Sequence, residues 1–205
     1  MQHRCLVTGG AGFLGASLVK KLLKKGYLVR VLDNESRGRK SRLSNDLNNI
    51  ELVIGDIRDP KVVEQAAEGC QSIVHMAFVN GTEFFYSKPE LVLEVGVKGM
   101  INVLDACRSQ QIGDLILISS SEVYQEPPTI PTPEDVPLII PDIHNPRYSY
   151  GGGKIISELL ALNYGRKDFE RIVIIRPHNV FGPDMGWEHV IPQFILRAHD
   201  SIQEQ

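Results

Sequence analysis

No run of apolar residues in this 205-residue chain reaches the roughly 18 needed to span a membrane, and the opening MQHRCLVTGG has no apolar stretch of signal-peptide length. The expected location is therefore the cytoplasm. Cysteine is scarce. Cys5, Cys70 and Cys107 are odd in number and widely spaced, with no C-x-x-C and no H-E-x-x-H among the six histidines. That argues against a zinc site or a disulfide framework and for buried free thiols in a reducing compartment. An excess of one charge is missing as well: 22 basic residues stand against 25 acidic ones, net -3, and the basic block RGRKSR at 37–42 is short. Nucleic acid is thus not expected as the main partner.

What is present is an ordinary globular composition, 42% apolar and 23% charged, in a chain long enough for one full core or one domain plus part of a second. Runs rich in leucine, isoleucine and valine recur at 4–7 (RCLV), 28–32 (LVRVL), 50–54 (IELVI), 72–76 (SIVHM), 114–119 (DLILIS) and 171–176 (RIVIIR). They lack clean in/out alternation, as expected of strands covered on both faces. Helical patterns fall between them at 13–25, 60–68, 89–110 and 148–166. The alternation predicts an α/β fold with a parallel sheet and right-handed crossovers. Residues 127–146 break this rhythm. They hold seven of the twelve prolines, which excludes a helix or central strand and predicts a functional or disordered loop.

Directly after the first predicted strand comes TGGAGFLG, Thr8 to Gly15, followed by an apolar helix. Gly9, Gly12 and Gly15 are spaced G-x-x-G-x-x-G. A strand turning sharply into a helix directs free backbone N–H groups and the positive end of the helix dipole to one point, where a diphosphate binds if no side chain obstructs it. A tight turn could use glycine for its own sake. The second strand ends in VLDN, however, placing Asp33 where a carboxylate can hold both hydroxyls of an adenosine ribose and repel a 2'-phosphate, which favours NAD over NADP. Asp56, at the end of the third strand, could meet the adenine amino group, whereas Asp59 could as well cap the next helix.

The stretch NPRYSYGGGKIISELLALNYG at 145–165 reads as a helix with Gly151, Gly152 and Gly153 in its first turns. Each should cost about 0.8–1.0 kcal/mol relative to alanine. Either a close neighbour requires them, keeping the helix face next to cofactor and sugar free of bulk, or they form a loop and the helix starts near Lys154.

Taken in order, TGGAGFLG, LDN, GDIRD, VHMA (74–77), SSSEVY (119–124), YGGGK (150–154) and RPHNVFGP (176–183) resemble the extended short-chain dehydrogenase/reductase family, in particular its NAD-dependent nucleotide-sugar epimerases, dehydratases and decarboxylases. The resemblance implies a doubly wound Rossmann sheet of strand order 3-2-1-4-5-6, with NAD as cofactor. The cofactor contacts it implies are Gly9, Gly12, Phe13, Leu14, Asp33, Asn34, Asp56, Ile57, Ala77, Tyr150 and Lys154. Tyr150 and Lys154 match the family's Y-x-x-x-K pair, one turn apart on a helix. A neighbouring ammonium favours tyrosinate, bringing a hydroxyl of ordinary pKa about 10 into the range of a base. By the same resemblance Ser120 and Glu122 join the catalytic set, while Ser120, Ser121 and Asn179 face the substrate.

Three positions depart from the family. Gly96 stands where asparagine is usual, Gly153 where a small residue, often serine, precedes the lysine, and Ser121 where dehydratases carry aspartate. His75 is expected to be a satisfied core histidine, and Arg176 an anchor for the sixth strand. Residues 1–176 are expected to form the NAD-binding domain and 177–205 only the start of a small substrate-binding domain, whether the chain is a fragment or naturally short. The implied partners are a nucleotide sugar and a second copy of the chain, paired through helices 89–110 and 148–166. C4 epimerisation is the first reading. Uronic acid decarboxylation, 4,6-dehydration and a non-catalytic NAD-binding subunit remain alternatives.

Overall fold

The computed structural model describes residues 2–186 and 189–203; of the stretch 177–205, positions 187, 188, 204 and 205 lie outside the described residues, as does position 1. The apolar runs become the strands β1 (Arg4–Thr8), β2 (Leu28–Asp33), β3 (Ile50–Ile54), β4 (Ser72–His75), β5 (Asp114–Ile118) and β6 (Arg171–Ile175). They pair in parallel in the order β3-β2-β1-β4-β5-β6. This is the doubly wound order that the resemblance implied. Central β1 and β4 are buried almost throughout, and the edge strands β3 and β6 only in part.

Successive side chains of a strand face opposite ways, so β1 serves two cores. Cys5 and Val7 pack with Val19, Val29 and Val31 on the side of helix α1 (Phe13–Lys24), while Leu6 joins Ile73, Met100, Leu104 and Leu115 on the other. The three cysteines are free and buried in these layers. Burial pushes the Cys70 thiol up to about 11 and Cys107 to about 12, which removes the thiolate that reactivity would require.

Helix α2 (Pro60–Ala67) opens on Asp59, whose carboxylate accepts from the backbone N–H groups of Lys61 and Val62, with proline in the first turn. Asp59 is thus the cap. A short helix, α3 (Thr82–Ser87), precedes the long pattern at 89–110, which forms as α4 (Pro89–Leu93) and α5 (Gly99–Ser109) joined by a π-helical turn, Glu94–Lys98. Gly96 lies inside that turn. Helix α6 (Ser149–Asp168) runs through all three glycines, so the loop alternative is not realised.

The glycines of α6 are explained by contact, though not with the partners expected. A Cβ at Gly151 would lie 2.8 Å from Gln125 Nε2, one at Gly152 3.2 Å from Ile140 Cδ1, and one at Gly153 3.1 Å from Phe78 Cζ. The space foreseen for cofactor and sugar is filled by the chain's own side chains. Their packing offsets the propensity lost in the helix.

The last described helix is α7 (Val190–Gln203). Among the described residues no helix is long and apolar enough to cross a membrane. The proline-rich segment is irregular from 127 to 145. It is tied down at two points: Ile139 N–H donates to Val123 O at 3.3 Å, and Glu134 O accepts from Arg176 Nη1 at 3.1 Å.

Candidate active site

The turn between β1 and α1 is built by backbone that side chains cannot replace. Gly9 has φ +72, and a Cβ on it would lie 2.8 Å from Ala77 N. A Cβ on Gly15 would clash with Gly9 O, far inside van der Waals contact, so α1 starts directly against the turn. The first turn of α1 has Gly12 as its cap residue, with no side-chain hydrogen bond to its N–H groups. Those donors and the helix dipole converge on a cleft at the carboxyl ends of β1, β2 and β4, lined among others by Gly9, Gly12, Asp33, Asn34, Asp56, Ile57 and Ala77. Phe13 and Leu14 form the start of α1 without lining the cleft. The Phe13 ring instead faces Gly182, whose Cβ would lie 3.4 Å from it.

Asp33 ends β2 and is 7% exposed. Its carboxylate accepts from Ala11 N–H at 2.9 Å and Glu35 N–H at 2.8 Å. Burial raises its pKa, and those two hydrogen bonds oppose the rise. Of about four acceptor directions on a carboxylate, two remain for a diol. Asp56 is held differently: the Arg58 guanidinium, in contact at 2.8 Å, keeps its pKa down at about 2, and Asn34 Nδ2 donates to it at 3.0 Å. These residues fit the adenosine and diphosphate half of NAD. The glycine cradle would be filled by any Cβ, the helix end is free for an anion, and a carboxylate stands at the tip of β2.

At the end of β5, Ser120 caps a 3-10 turn (Ser121–Val123), and its Oγ accepts from Glu122 N–H. Ser120 stands close enough to Tyr150 to lower its pKa, against the larger rise that burial causes. The Tyr150 ring is held between Phe85, stacked at 5.2 Å, and Phe78, edge-on at 5.2 Å. Lys154, one turn along α6, is 3% exposed. Its Nζ donates to Ile118 O at 2.7 Å and lies 4.0 Å from the centre of the Phe78 ring. Burial lowers the Lys154 pKa to about 7, and it also raises that of Tyr150. In this arrangement desolvation outweighs the mutual stabilisation of tyrosinate and ammonium expected from the spacing alone. Glu122 reaches toward Arg147 Nη2 at 3.5 Å, Ser121 N–H donates to Pro177 O at 3.0 Å, and Asn179 is exposed. The structure thus gathers Ser120, Ser121, Glu122, Tyr150 and Lys154 beyond β5, and the glycine turn, Asp33 and Asp56 beyond β1 to β3.

His75 is a satisfied core residue, as expected. Thr8 Oγ1 accepts from the N–H groups of Met76 and Ala77, so its own proton goes to His75 Nδ1 at 2.8 Å. Burial lowers the imidazole pKa to about 3, with the nearby Lys154 charge adding to the shift. Arg176 anchors β6, also as expected. It makes a fork to Glu158 of α6 at 2.9 and 2.7 Å and donates to Tyr124 OH at 2.8 Å.

Three side chains escaped sequence reasoning: Glu158, which has no motif, Phe85, on a helix too short to show periodicity, and Phe78. Phe78 follows VHMA, and the only hint of its role was the glycine at 96 whose space it uses.

The chain matches the NAD dependent epimerase/dehydratase family over residues 5–204. It is 31% identical over 201 residues to UDP-N-acetyl-alpha-D-glucosaminuronate decarboxylase of Bacillus cytotoxicus, covering 97% of this chain and 62% of that protein. A solved UDP-galactose 4-epimerase superposes with TM-score 0.84 at 31% identity, covering 96% of this chain and 63% of the other. The dTDP-glucose 4,6-dehydratase of Streptomyces venezuelae, solved with NAD bound, gives TM-score 0.83 at 29% identity, with coverage of 97% and 62%. The chain therefore spans less than two thirds of the length of each of these proteins. With the strand order, the glycine turn and the match over nearly its whole length, the chain belongs to the NAD-dependent epimerase/dehydratase family, whose cofactor is NAD.

Proposed function

We propose that this chain is the cofactor-binding and hydride-transfer portion of a nucleotide-sugar epimerase that oxidises C4 of the sugar transiently and then reduces it from the other face. What supports this is the placing of Ser120, at the end of β5, beside Tyr150 of α6, with Lys154 one turn further along and its Nζ bound to Ile118 O at 2.7 Å. Bound NAD supplies the acceptor for the C4 hydride. Tyr150 takes the C4 hydroxyl proton as that hydride leaves and gives it back when the carbonyl is reduced. Ser120 donates a hydrogen bond to the same sugar oxygen, and a charged Lys154 favours the tyrosinate form. Ser121 and Asn179 would meet the substrate, Glu122 would complete the polar wall, and residues 177–205 would begin the region that grips the nucleotide.

Decarboxylation of a uronic acid is the second reading, and two observations favour it. A decarboxylase aligns with nearly the whole chain, and Arg147 places a guanidinium beside Glu122 where a sugar carboxylate could be met. A C4 ketone lets that carboxylate leave without a dedicated base, so the same residues serve both reactions. A panel of UDP-, dTDP-, GDP- and CDP-linked sugars and uronic acids with NAD, followed by mass and NMR, separates them. Unchanged mass with altered sugar resonances is the expected result. Loss of carbon dioxide selects decarboxylation, loss of water selects dehydration, and NAD binding without turnover selects the non-catalytic subunit.

The proposal includes a homodimer through α4, α5 and α6, supported by Leu93, Ile156, Leu159 and Leu162, which are exposed on these helices. Sedimentation at micromolar concentration is expected to give a dimer and Leu159→Asp a monomer. A wild-type monomer would refute the pairing. The buried free thiols support a reducing compartment, the cytoplasm.

A further inference from the structure

The adenosine cleft and the Tyr150–Lys154 pair do not communicate directly. Phe78 is a wall of the cleft, whereas Tyr150 and Lys154 do not line it. On its other side the Phe78 ring lies 4.0 Å from Lys154 Nζ and edge-on to the Tyr150 ring. Tyr150 is only 8% exposed. A ligand held by the glycine turn would have to pass this ring to touch either residue.

Two glycines create the space in which the ring sits. A Cβ on Gly96 would clash with the Phe78 ring, far inside van der Waals contact, and one on Gly153 would lie 3.1 Å from its Cζ. No side chain fits at 96 with the ring in place, because real Cβ atoms do not approach another atom so closely. Gly96 belongs to the π-helical turn between α4 and α5, and Gly153 to α6. The Ser157 hydroxyl of α6 donates its one proton to Gly153 O at 2.8 Å, with Gly96 O of the π-helical turn 3.4 Å away as a weaker second acceptor. The two departures from the family at 96 and 153 are therefore one packing event, with Phe78 as its third member. Phe78 itself lies in the irregular segment after β4 and is only half-buried, so a change of rotamer can move its ring without moving a strand or helix.

We propose that Phe78 is an aromatic gate between the two halves of the cofactor site: the ADP portion of a dinucleotide binds with the ring in place, and the nicotinamide riboside portion reaches Tyr150 and Lys154 only after the ring turns aside. Phe78 is then a positioning residue that sets how much of the dinucleotide the chain grips. The inference rests on the reading of the cleft as an NAD site. A closed gate lowers the apparent affinity for the whole dinucleotide by the fraction of molecules that are open, and leaves ADP unaffected. The closed ring also accounts for the state of the pair behind it. It shields Lys154 and Tyr150 from water, which disfavours their charged forms, and for Lys154 the contact of the ammonium with the ring face offsets only part of that cost.

Calorimetric titration with ADP, ADP-ribose and NAD tests the gate on the intact chain without reference to turnover. The wild type is expected to bind NAD no more than about threefold more tightly than ADP. Phe78→Ala is expected to leave ADP within about twofold and to tighten NAD by about tenfold or more, equivalent to about 1.4 kcal/mol. Phe78→Leu keeps the apolar filling without the ring and protects the test from a folding defect; it should shift NAD in the same direction by less. Gly96→Ala with Phe78→Ala should fold, whereas Gly96→Ala alone should displace the ring or destabilise the protein. An unchanged ratio of NAD to ADP affinity in both Phe78 variants overturns the gate while leaving the cofactor site standing. Failure of the wild type to bind ADP at all overturns the cofactor reading, and the gate with it.

Discussion

Tyr150→Phe should lower turnover by about 10²–10⁴-fold on any nucleotide sugar that the wild type converts, the span typical of removing a positioned acid–base group. The change deletes one oxygen from a ring whose faces and edge are already held by Phe85 and Phe78, so the packing that fixes α6 near β5 survives. Loss of one hydroxyl from this buried ring should cost the fold only about 0.5–1.5 kcal/mol. ADP affinity should not move, because the ring does not line the adenosine cleft. Turnover is the informative readout: parity with the wild type would place proton transfer on another group, with Glu122, on the adjoining turn, the first to test. Folding and nucleotide binding measured on the same sample keep that outcome distinct from simple damage.

Glu158→Ala should be the most destabilising of the single changes considered, by about 3 kcal/mol or more in urea unfolding. Glu158 is 2% exposed and satisfies three donors: Ser119 Oγ at 2.5 Å and Arg176 through Nε and Nη2. Removing the carboxylate leaves a guanidinium and a hydroxyl without their acceptor in a place that water reaches poorly. Arg176 is partly exposed, with 20% of its side chain accessible, which keeps the expected cost near the lower end of the range for broken buried pairs. The damage should spread to the proline-rich segment, since the same guanidinium holds Glu134 O and Tyr124 OH. Glu158→Gln retains an acceptor for Ser119 and should lose less. A stability within about 0.5 kcal/mol of wild type for Glu158→Ala, the scatter of ordinary surface changes, would show that the pair does not hold β6 to α6.

Much of the fold was legible because its determinants are local. Apolar runs without alternation marked strands covered on both faces, and their spacing with helical patterns predicted the parallel sheet. The strand order came with the resemblance, whose motifs occur in sequence along the chain. Asp59 as a helix cap, His75 as a core histidine and Arg176 as the anchor of β6 were also readable, each from a short stretch. Helix α3 was missed, since TEFFYS is too short to show helical periodicity, yet its Phe85 is one of the two rings that hold Tyr150.

The sequence by itself determined where a diphosphate, a ribose diol and a tyrosine–lysine pair could be presented, because glycine spacing, a strand-end carboxylate and a four-residue helical repeat each act over a few residues. Only the tertiary structure decided what surrounds them. Phe78, Gly96 and Gly153 come from three separate segments, and their mutual fit depends on how closely the segment after β4, the π-helical turn and α6 approach one another. The charge states of Tyr150 and Lys154 follow the same rule: spacing placed them one turn apart, but burial beneath that ring, a property of the packed layers, moved their pKa values against ionisation.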